Sequence, residues 1–156
     1  MEQWEERLRD VRLPGRRTRD AISPSFDFWI NRLSGFLTFR ITQLLTGHGC
    51  FASFLYRINR EDSPICRYCN LAVDTAEHTL AACNAWGLER GELISVIGQD
   101  LSLAAVVAAI CRSREAWRAF SAFAERVMRT KEDDERRRQL GLEEPGIIVE
   151  QVPEDP

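Results

Sequence analysis

The feature that most constrains this chain is a cluster of three cysteines and one histidine within eighteen residues. Cys66, Cys69, His78 and Cys83 have the spacing C-x2-C-x8-H-x4-C, in a chain with only five cysteines and two histidines. Thiolate and imidazole are ligands that Zn²⁺ prefers in a tetrahedral site. Paired spacings of this kind predict that the four residues bind one structural zinc ion.

The two pairs are expected to reach the metal in different ways. Two residues between Cys66 and Cys69 allow a tight turn that aims both sulfurs at one point and hydrogen-bonds them with its N–H groups. The alternative is that the cysteines are ordinary buried residues, because free Cys is among the most buried residue types. The polar residues Arg67, Asn70 and Asp74 lie between the ligands and argue against an apolar core there.

The second pair is predicted to lie on a short helix. Asp74 and Glu77 have the spacing of a capping box, which predicts a helix that begins near position 75. His78 and Cys83 are five positions apart, about 500° at 3.6 residues per turn, so a straight helix does not place them on one face. We therefore expect the helix to end at Ala82 and Cys83 to lie where the chain unwinds.

All four coordination positions would be filled by protein, which argues against a catalytic zinc with an open position for water. His48 and Cys50, in the sequence TGHGC, are further candidate ligands, and the alternative is a turn between two helices. Cys111 lies in an alanine-rich stretch and is expected to be a core residue.

Composition and periodicity predict an all-α fold: a small helical domain with the Cys-Cys-His-Cys segment embedded in it. Glycine and proline number only nine and six, which disfavours a turn-rich β fold. Apolar residues recur at helical spacing, and we expect helices over 2–12 (broken off by Pro14 and Gly15), 28–45 (with Gly35 as a dividing or weak point and Gly47 as its stop), 50–58, 85–100, 100–113 (capped at Ser102) and 113–140. The last part of this pattern, 129–140, is polar all round and is expected to be solvated or frayed.

The chain is expected to divide into an N-terminal helical region (1–62), the zinc-binding segment (63–86), C-terminal helices (87–140) and a disordered acidic tail (141–156). No apolar run is long enough for a membrane span, and the charged N-terminus does not have the pattern of a signal peptide. We expect an intracellular protein, nuclear or cytoplasmic. Clustered cysteines in a reducing compartment bind metal more often than they form disulfides.

Charge is unevenly distributed along the chain. Net charge is −3, yet residues 1–60 carry +4, and twenty of the twenty-one basic residues are arginine. Arginine binds phosphate with a rigid fork, and Tyr68 beside Arg67 could stack on an unpaired base. The residues predicted to bind nucleic acid are Arg16, Arg17, Arg19, Arg40, Arg57, Arg67 and Tyr68. For each arginine, a solvated or acid-paired surface role is the alternative.

The central part of the sequence resembles a region of known proteins. The stretch T-x-x-L-x-G-H-G-x-F over 42–51 is followed by S-P-x-C-x-x-C and D-T-x-x-H-x-x-x-x-C-x-x-W, which end at Trp86. This pattern resembles the C-terminal region of insect LINE-type (non-long-terminal-repeat) retrotransposon polyproteins, which follows their reverse transcriptase domain. The resemblance covers about residues 10–140, and its central motif is its most specific part.

The resemblance implies a zinc-binding accessory to reverse transcription that binds RNA, DNA or an RNA–DNA intermediate. We expect no enzymatic activity of this chain itself, because its sequence has no aspartate pair in a polymerase context and no recognisable catalytic set. The spacing of eight residues before His78 departs from the four of a retroviral nucleocapsid knuckle. The alternative role is a zinc-stabilised cap that docks on the reverse transcriptase domain of the same polyprotein through exposed apolar residues: Phe26, Phe28, Trp29, Phe36 and Phe39.

Overall fold

A computed structural model describes residues 2–142, and within this part of the chain all regular elements are helical, as predicted. The α-helices are α1 (Glu2–Arg9), α2 (Arg16–Ile22), α3 (Phe26–Asn31), α4 (Phe39–Thr46), α5 (Ala52–Arg57), α6 (Gly87–Ile97), α7 (Leu103–Arg112) and α8 (Arg114–Gln139). Short 3₁₀ turns cover Ser23–Ser25 and Asn84–Trp86, and a π-helical turn covers His78–Ala82. Most of the predicted acidic tail, 143–156, lies outside the described residues.

The longest helix, α8, organises the core. Its 26 residues extend about 39 Å, and it packs against α4, α6 and α7. The face buried in these contacts carries Trp117, Phe120, Ala124 and Val127, which recur at helical spacing. The predicted beginning is confirmed, since the Ser113 hydroxyl caps the helix by accepting a hydrogen bond from the Ala116 N–H at 3.1 Å.

Local sequence signals set several other helix ends. Ser102 caps α7 by accepting from the Ala105 N–H at 3.4 Å, as predicted. Gly47 ends α4 in the left-handed conformation with φ of 73°, also as predicted. These ends depend on residues within one turn of the helix, so a single sequence is sufficient to place them.

Two interruptions divide the helices of the N-terminal half, and both are predicted from the sequence. Residues 10–15 are non-helical, and α2 begins directly after Gly15, which takes a left-handed conformation. A non-helical segment, 32–38, separates α3 from α4, which confirms the alternative that Gly35 divides the pattern over 28–45. Gly35 lies in this segment with φ of 95°, and its backbone packs directly on the indole of Trp117.

The polar end of α8 is also different from the prediction. The stretch 129–140 was expected to be solvated or frayed, yet it is helical to Gln139 and contributes two buried charged residues. Lys131 is only 1% exposed and Glu135 only 7%. The reason is that Lys131 pairs with Asp74 of the metal-ligand segment and Glu135 pairs with Arg138 of the same helix, and periodicity of apolar residues detects neither contact.

Candidate metal centre

The first cysteine pair lies in a tight turn within a short hairpin. Ile65 and Val73 form an antiparallel bridge, which closes the base of the hairpin. Within it, the Asn70 N–H donates to the Cys66 carbonyl at 2.8 Å, and Asn70 takes a left-handed φ of 55°. Asparagine tolerates this conformation better than most residues. The turn therefore brings the sulfurs of Cys66 and Cys69 to the same side, as predicted.

The helical segment that follows is capped by a different residue from the one predicted. The Thr75 hydroxyl accepts from the His78 N–H at 3.0 Å, which makes Thr75 the capping residue. The prediction that Asp74 and Glu77 form a capping box is therefore wrong. The Asp74 carboxylate instead points into the domain, and Glu77 forms an ion pair with Arg17 of α2.

A π-helical turn brings the second ligand pair together. The Cys83 N–H donates to the His78 carbonyl at 2.7 Å, an i→i+5 bond that makes the turn wider than an α-helical one. Five residues then form a single turn, so the histidine and the cysteine lie on the same side. The prediction that the helix ends at Ala82 and that Cys83 is extended is confirmed, with φ −61° and ψ 123°.

Arg90 holds the end of this turn in place. Its guanidinium, on α6, donates to the carbonyls of Leu80, Cys83 and Thr79 at 2.9, 2.7 and 3.2 Å. These carbonyls lie at the C-terminal end of a helical segment, where a cation is favourable. Arg90 could not be predicted from the sequence, because a lone arginine between two glutamates has no distinguishing signal.

The four predicted ligand residues form one compact cluster. Their ligand atoms all lie within 4.8 Å of one another. The sulfurs of Cys66 and Cys83 are 3.8 Å apart, and the Cys69 sulfur lies 3.3 Å from His78 Nε2. A tetrahedral zinc with Zn–S bonds of about 2.3 Å separates two sulfurs by about 3.8 Å. The cluster could therefore hold a metal ion with little movement of the side chains.

The surroundings of Cys69 and His78 favour the deprotonated states that bind metal, whereas those of Cys66 favour the protonated thiol. Hydrogen bonds from backbone N–H groups, Leu71 first, lower the pKa of Cys69, as expected for the tight turn. Burial lowers the pKa of His78 and favours the neutral imidazole. Burial raises the pKa of Cys66 to about 12, against opposing backbone hydrogen bonds from Cys69 and Tyr68. A cation at the cluster would compensate this cost of burying a thiolate.

A buried ion pair attaches the segment to α8. Lys131 Nζ lies 2.9 and 2.8 Å from the two carboxylate oxygens of Asp74, and both side chains are buried. The same carboxylate accepts from the Ala52 N–H at 2.8 Å and the Thr79 hydroxyl at 3.2 Å. Asp74 thus joins α5, the metal segment and α8. This pair could not be predicted from the sequence, because its members are 57 positions apart.

Tyr68 forms a second attachment between the same two parts of the molecule. Its hydroxyl donates to Asp134 at 2.6 Å, and its ring lies 4.7 Å from the indole of Trp86. Lys131 Nζ lies 4.9 Å from the ring centre, within the range of a cation–π interaction. The Tyr68 side chain is therefore half-buried between protein groups. The prediction from sequence was that this ring stacks on an unpaired base.

The other candidate ligands lie outside the cluster. The His48 ring packs on Phe54 with ring centres 4.9 Å apart, in the turn that follows α4. Burial raises the pKa of the Cys50 thiol to about 11, and the Cys50 N–H donates to the Gln43 side chain at 3.1 Å. Cys111 is half-buried on α7 and packs against the core, as expected.

Three arginines predicted to bind nucleic acid have protein partners in the structure. Arg17 pairs with Glu77 and donates to the Leu44 carbonyl at the end of α4 at 3.0 Å. The Arg19 guanidinium donates to the carbonyls that end α1, including that of Leu8 at 3.0 Å. Arg40 pairs with α8 through two carboxylates, Glu125 at 2.7 Å and Glu132 at 2.8 Å.

The remaining predicted arginines are exposed. Arg16 lies 3.3 Å from Asp20 one helical turn away, an arrangement worth only a few tenths of a kcal/mol. The Arg57 guanidinium lies over the Phe54 ring at 5.2 Å. Arg67 pairs with Glu61 at 2.8 Å and remains 48% exposed.

No protein-family model, curated protein or solved structure matches the chain. Within residues 2–142, no helix combines the length and the hydropathy that crossing a bilayer requires. The site is therefore defined by its own geometry. It is a cluster of three cysteines and one histidine that could bind a metal ion, and a hairpin and a π-helical turn hold it in place.

Proposed function

We propose that Cys66, Cys69, His78 and Cys83 bind one structural Zn²⁺. The observation that carries this proposal is the convergence of four borderline-soft ligand atoms within 4.8 Å, with the sulfur separation that a tetrahedral zinc needs. Four protein ligands complete the usual coordination of zinc and leave no position for a reacting water. The role we propose is accordingly structural, and the chain is proposed to have no enzymatic activity of its own.

Zinc would fix the segment 63–86 because that segment has little core of its own. Metal-binding free energy in such small sites is largely folding free energy. The hairpin and the π-helical turn hold one ligand pair each. The ion therefore acts as a cross-link between them, and Asp74 and Tyr68 then connect the fixed segment to α8.

Zinc content tests this proposal. Purified chain is expected to contain one zinc per molecule by elemental analysis, and Cys69→Ser is expected to lose most of it. Cys111→Ser is the matched control, since Cys111 lies outside the cluster, and it should retain the metal. An unmodified chain that contains no zinc and acquires none on incubation with Zn²⁺ would refute the proposal.

We further propose that the zinc-stabilised module binds RNA or an RNA–DNA intermediate, the activity that the retrotransposon resemblance implies. The supporting observation is that Arg57, Arg60 and Arg67 are all exposed on or beside the metal segment. Arginines in such positions neutralise phosphates and release counterions, which makes binding depend on salt.

A titration of single-stranded RNA and of an RNA–DNA hybrid at 50 and 200 mM salt tests nucleic-acid binding. Arg57→Gln together with Arg60→Gln should weaken binding, and the loss should be similar for different sequences. The matched control is Arg7→Gln with Arg9→Gln on α1, far along the chain from the metal segment. Binding without salt dependence, or equal binding by both double variants, would contradict the assignment.

A protein-docking role is the second candidate, and one observation favours it specifically. Between Phe28 and Phe39 the chain exposes six large apolar side chains, among them Leu33 at 100% and Phe36 at 89%. Exposed apolar surface of this kind is typical of protein–protein interfaces. The reverse transcriptase domain of the same polyprotein is the partner that the resemblance implies.

A further inference from the structure

A groove with an apolar wall runs along the interruption between α3 and α4. Two adjoining cavities of about 800 and 510 Å³ share the lining residues Arg32, Leu33, Ser34 and Arg114. The indole of Trp117 lies beneath the first cavity, where Gly35 packs on it. A groove of this size accommodates a short peptide segment with several apolar side chains.

The rim of the groove is cationic. Arg112, Arg114 and Arg118 are exposed, and none forms a salt bridge with a carboxylate whose side chain the structure describes. Most other arginines described above are paired with acids or with backbone carbonyls. Asp27 is the single carboxylate among the described residues that line the groove. The surface is thus suited to a partner that carries apolar side chains flanked by carboxylates.

We propose that this groove binds residues 143–156 of a second copy of the chain. That segment has the sequence EEPGIIVEQVPEDP, in which Ile147, Ile148, Val149 and Val152 lie between acidic residues. It carries five carboxylates and no basic residue, so it complements the rim in charge and the wall in apolar character. This inference rests on the same exposed apolar surface as the protein-docking candidate, assigns a second copy of the chain to it in place of the reverse transcriptase domain, and does not depend on the metal.

Distance excludes contact of Ile147 and Ile148 with the groove of their own molecule. Leu142 is hydrogen-bonded to the Arg137 carbonyl, and Arg118 lies nineteen positions before Arg137 on α8, about 29 Å away along the helix axis. Ile147 and Ile148 are five and six positions after Leu142, and extended chains of that length span at most about 18 and 22 Å. These two isoleucines can therefore contact only the groove of another molecule.

Complementation between two variants of the full chain tests the proposal. The groove variant carries Arg114→Glu and Arg118→Glu, and the segment variant carries Ile147→Ser and Ile148→Ser. We expect the unmodified chain to self-associate in sedimentation equilibrium, and each variant alone to associate at least about tenfold more weakly. An equimolar mixture should form a one-to-one dimer, because one intact groove and one intact segment remain.

The mixture excludes misfolding of the segment variant, whose groove must be intact to restore the dimer, and the helical circular-dichroism signal of the groove variant checks that it is folded. The matched control is Arg136→Glu with Arg137→Glu, an equal charge change at the opposite end of α8, which should associate like the unmodified chain. A monomeric unmodified chain at about 100 µM, well above a micromolar Kd, would overturn the proposal. So would self-association that persists in both variants.

Measurements on the same samples distinguish this failure from failure of the proposed function. Zinc content and RNA titration report the metal centre and nucleic-acid binding, and neither requires the groove. If the groove variant loses RNA affinity while the unmodified chain is monomeric, the arginine rim binds nucleic acid and the docking proposal is wrong. Loss of zinc with dimerisation intact would refute only the metal proposal.

Discussion

Burying a lysine ammonium in a protein costs several kcal/mol unless a partner offsets the loss of hydration. In this domain the partner of Lys131 is the Asp74 carboxylate, and the rings of Phe51 and Tyr68 lie within 5.4 and 4.9 Å of the ammonium. Removing one member of such a pair leaves the other charge buried without compensation. The pair is therefore costly to break from one side only.

We expect Lys131→Met to destabilise the domain by about 3–5 kcal/mol, because it leaves the Asp74 carboxylate buried and unpaired. Replacing both members, with Asp74→Asn added, should recover part of this loss. Urea unfolding of the two single variants and the double variant measures the coupling energy. Arg129→Met, an exposed change two positions away, is the control; equal effects of Lys131→Met and Arg129→Met would refute this account.

Arg90 provides a second test at this scale. It contacts no proposed ligand atom but donates to the carbonyl of Cys83. We expect Arg90→Gln to lower zinc affinity by about 10- to 100-fold, the usual effect of removing a group that orients a ligand. Competition with a chromophoric chelator measures the affinity. Arg57→Gln is the control, and unchanged affinity in Arg90→Gln would show that the turn holds its shape without this side chain.

At the scale of elements, the break between α3 and α4 determines which surface the domain presents. If the helical pattern of 28–45 were continuous, its apolar residues would follow one stripe. The break places Leu33 and Phe36 in solvent and presses the backbone of Gly35 onto Trp117. A Cβ at position 35 would lie 2.3 Å from the indole, so only glycine fits there.

Two glycine-to-alanine changes are expected to have opposite effects. Gly35→Ala combines a positive φ with a steric clash and should destabilise the domain by about 1–3 kcal/mol. Gly91→Ala, in an exposed part of α6 where a Cβ meets no neighbouring atom, should stabilise it by about 1 kcal/mol. Thermal unfolding compares them, and stabilisation by both would show that the 32–38 segment adapts freely.

At the scale of the whole molecule, the metal segment and the groove lie at opposite ends of α8. The segment contacts the helix around Lys131 and Asp134, whereas the groove is lined by Arg114, Trp117 and Arg118. A chain of buried apolar residues on α8 connects the two ends. Loss of the metal should therefore loosen one end and leave the other packed.

Hydrogen exchange with and without a strong chelator tests this difference between the two ends of α8. Chelation is expected to accelerate exchange in 64–83 and in the last three turns of α8, while amides of α7 and of 116–124 stay protected. Most of the far-ultraviolet helical signal should remain. Uniform acceleration along the whole chain would contradict the prediction and would make the metal a requirement for the entire fold.

Much of this architecture could be predicted from the sequence. The features that could not be predicted depend on contacts that local sequence patterns do not contain. Apolar periodicity and the serine caps predict α7 and α8, and ligand spacing predicts which four side chains cluster. The burial of Lys131 could not be predicted, because its partner is 57 positions away. The π-helical turn could not be predicted either, because its extra residue is accommodated by the carbonyl contacts of Arg90.

The position of Trp86 has a practical consequence. Its backbone N–H donates to the Cys83 carbonyl at 3.2 Å, and its indole lies against Tyr68. The other three tryptophans, Trp4, Trp29 and Trp117, lie outside the metal segment in the sequence. The chain thus contains an intrinsic fluorophore one 3₁₀ turn from a proposed ligand. Its emission should change when zinc is added or withdrawn, and Trp86→Phe should abolish that change, which permits label-free optical titration of the site.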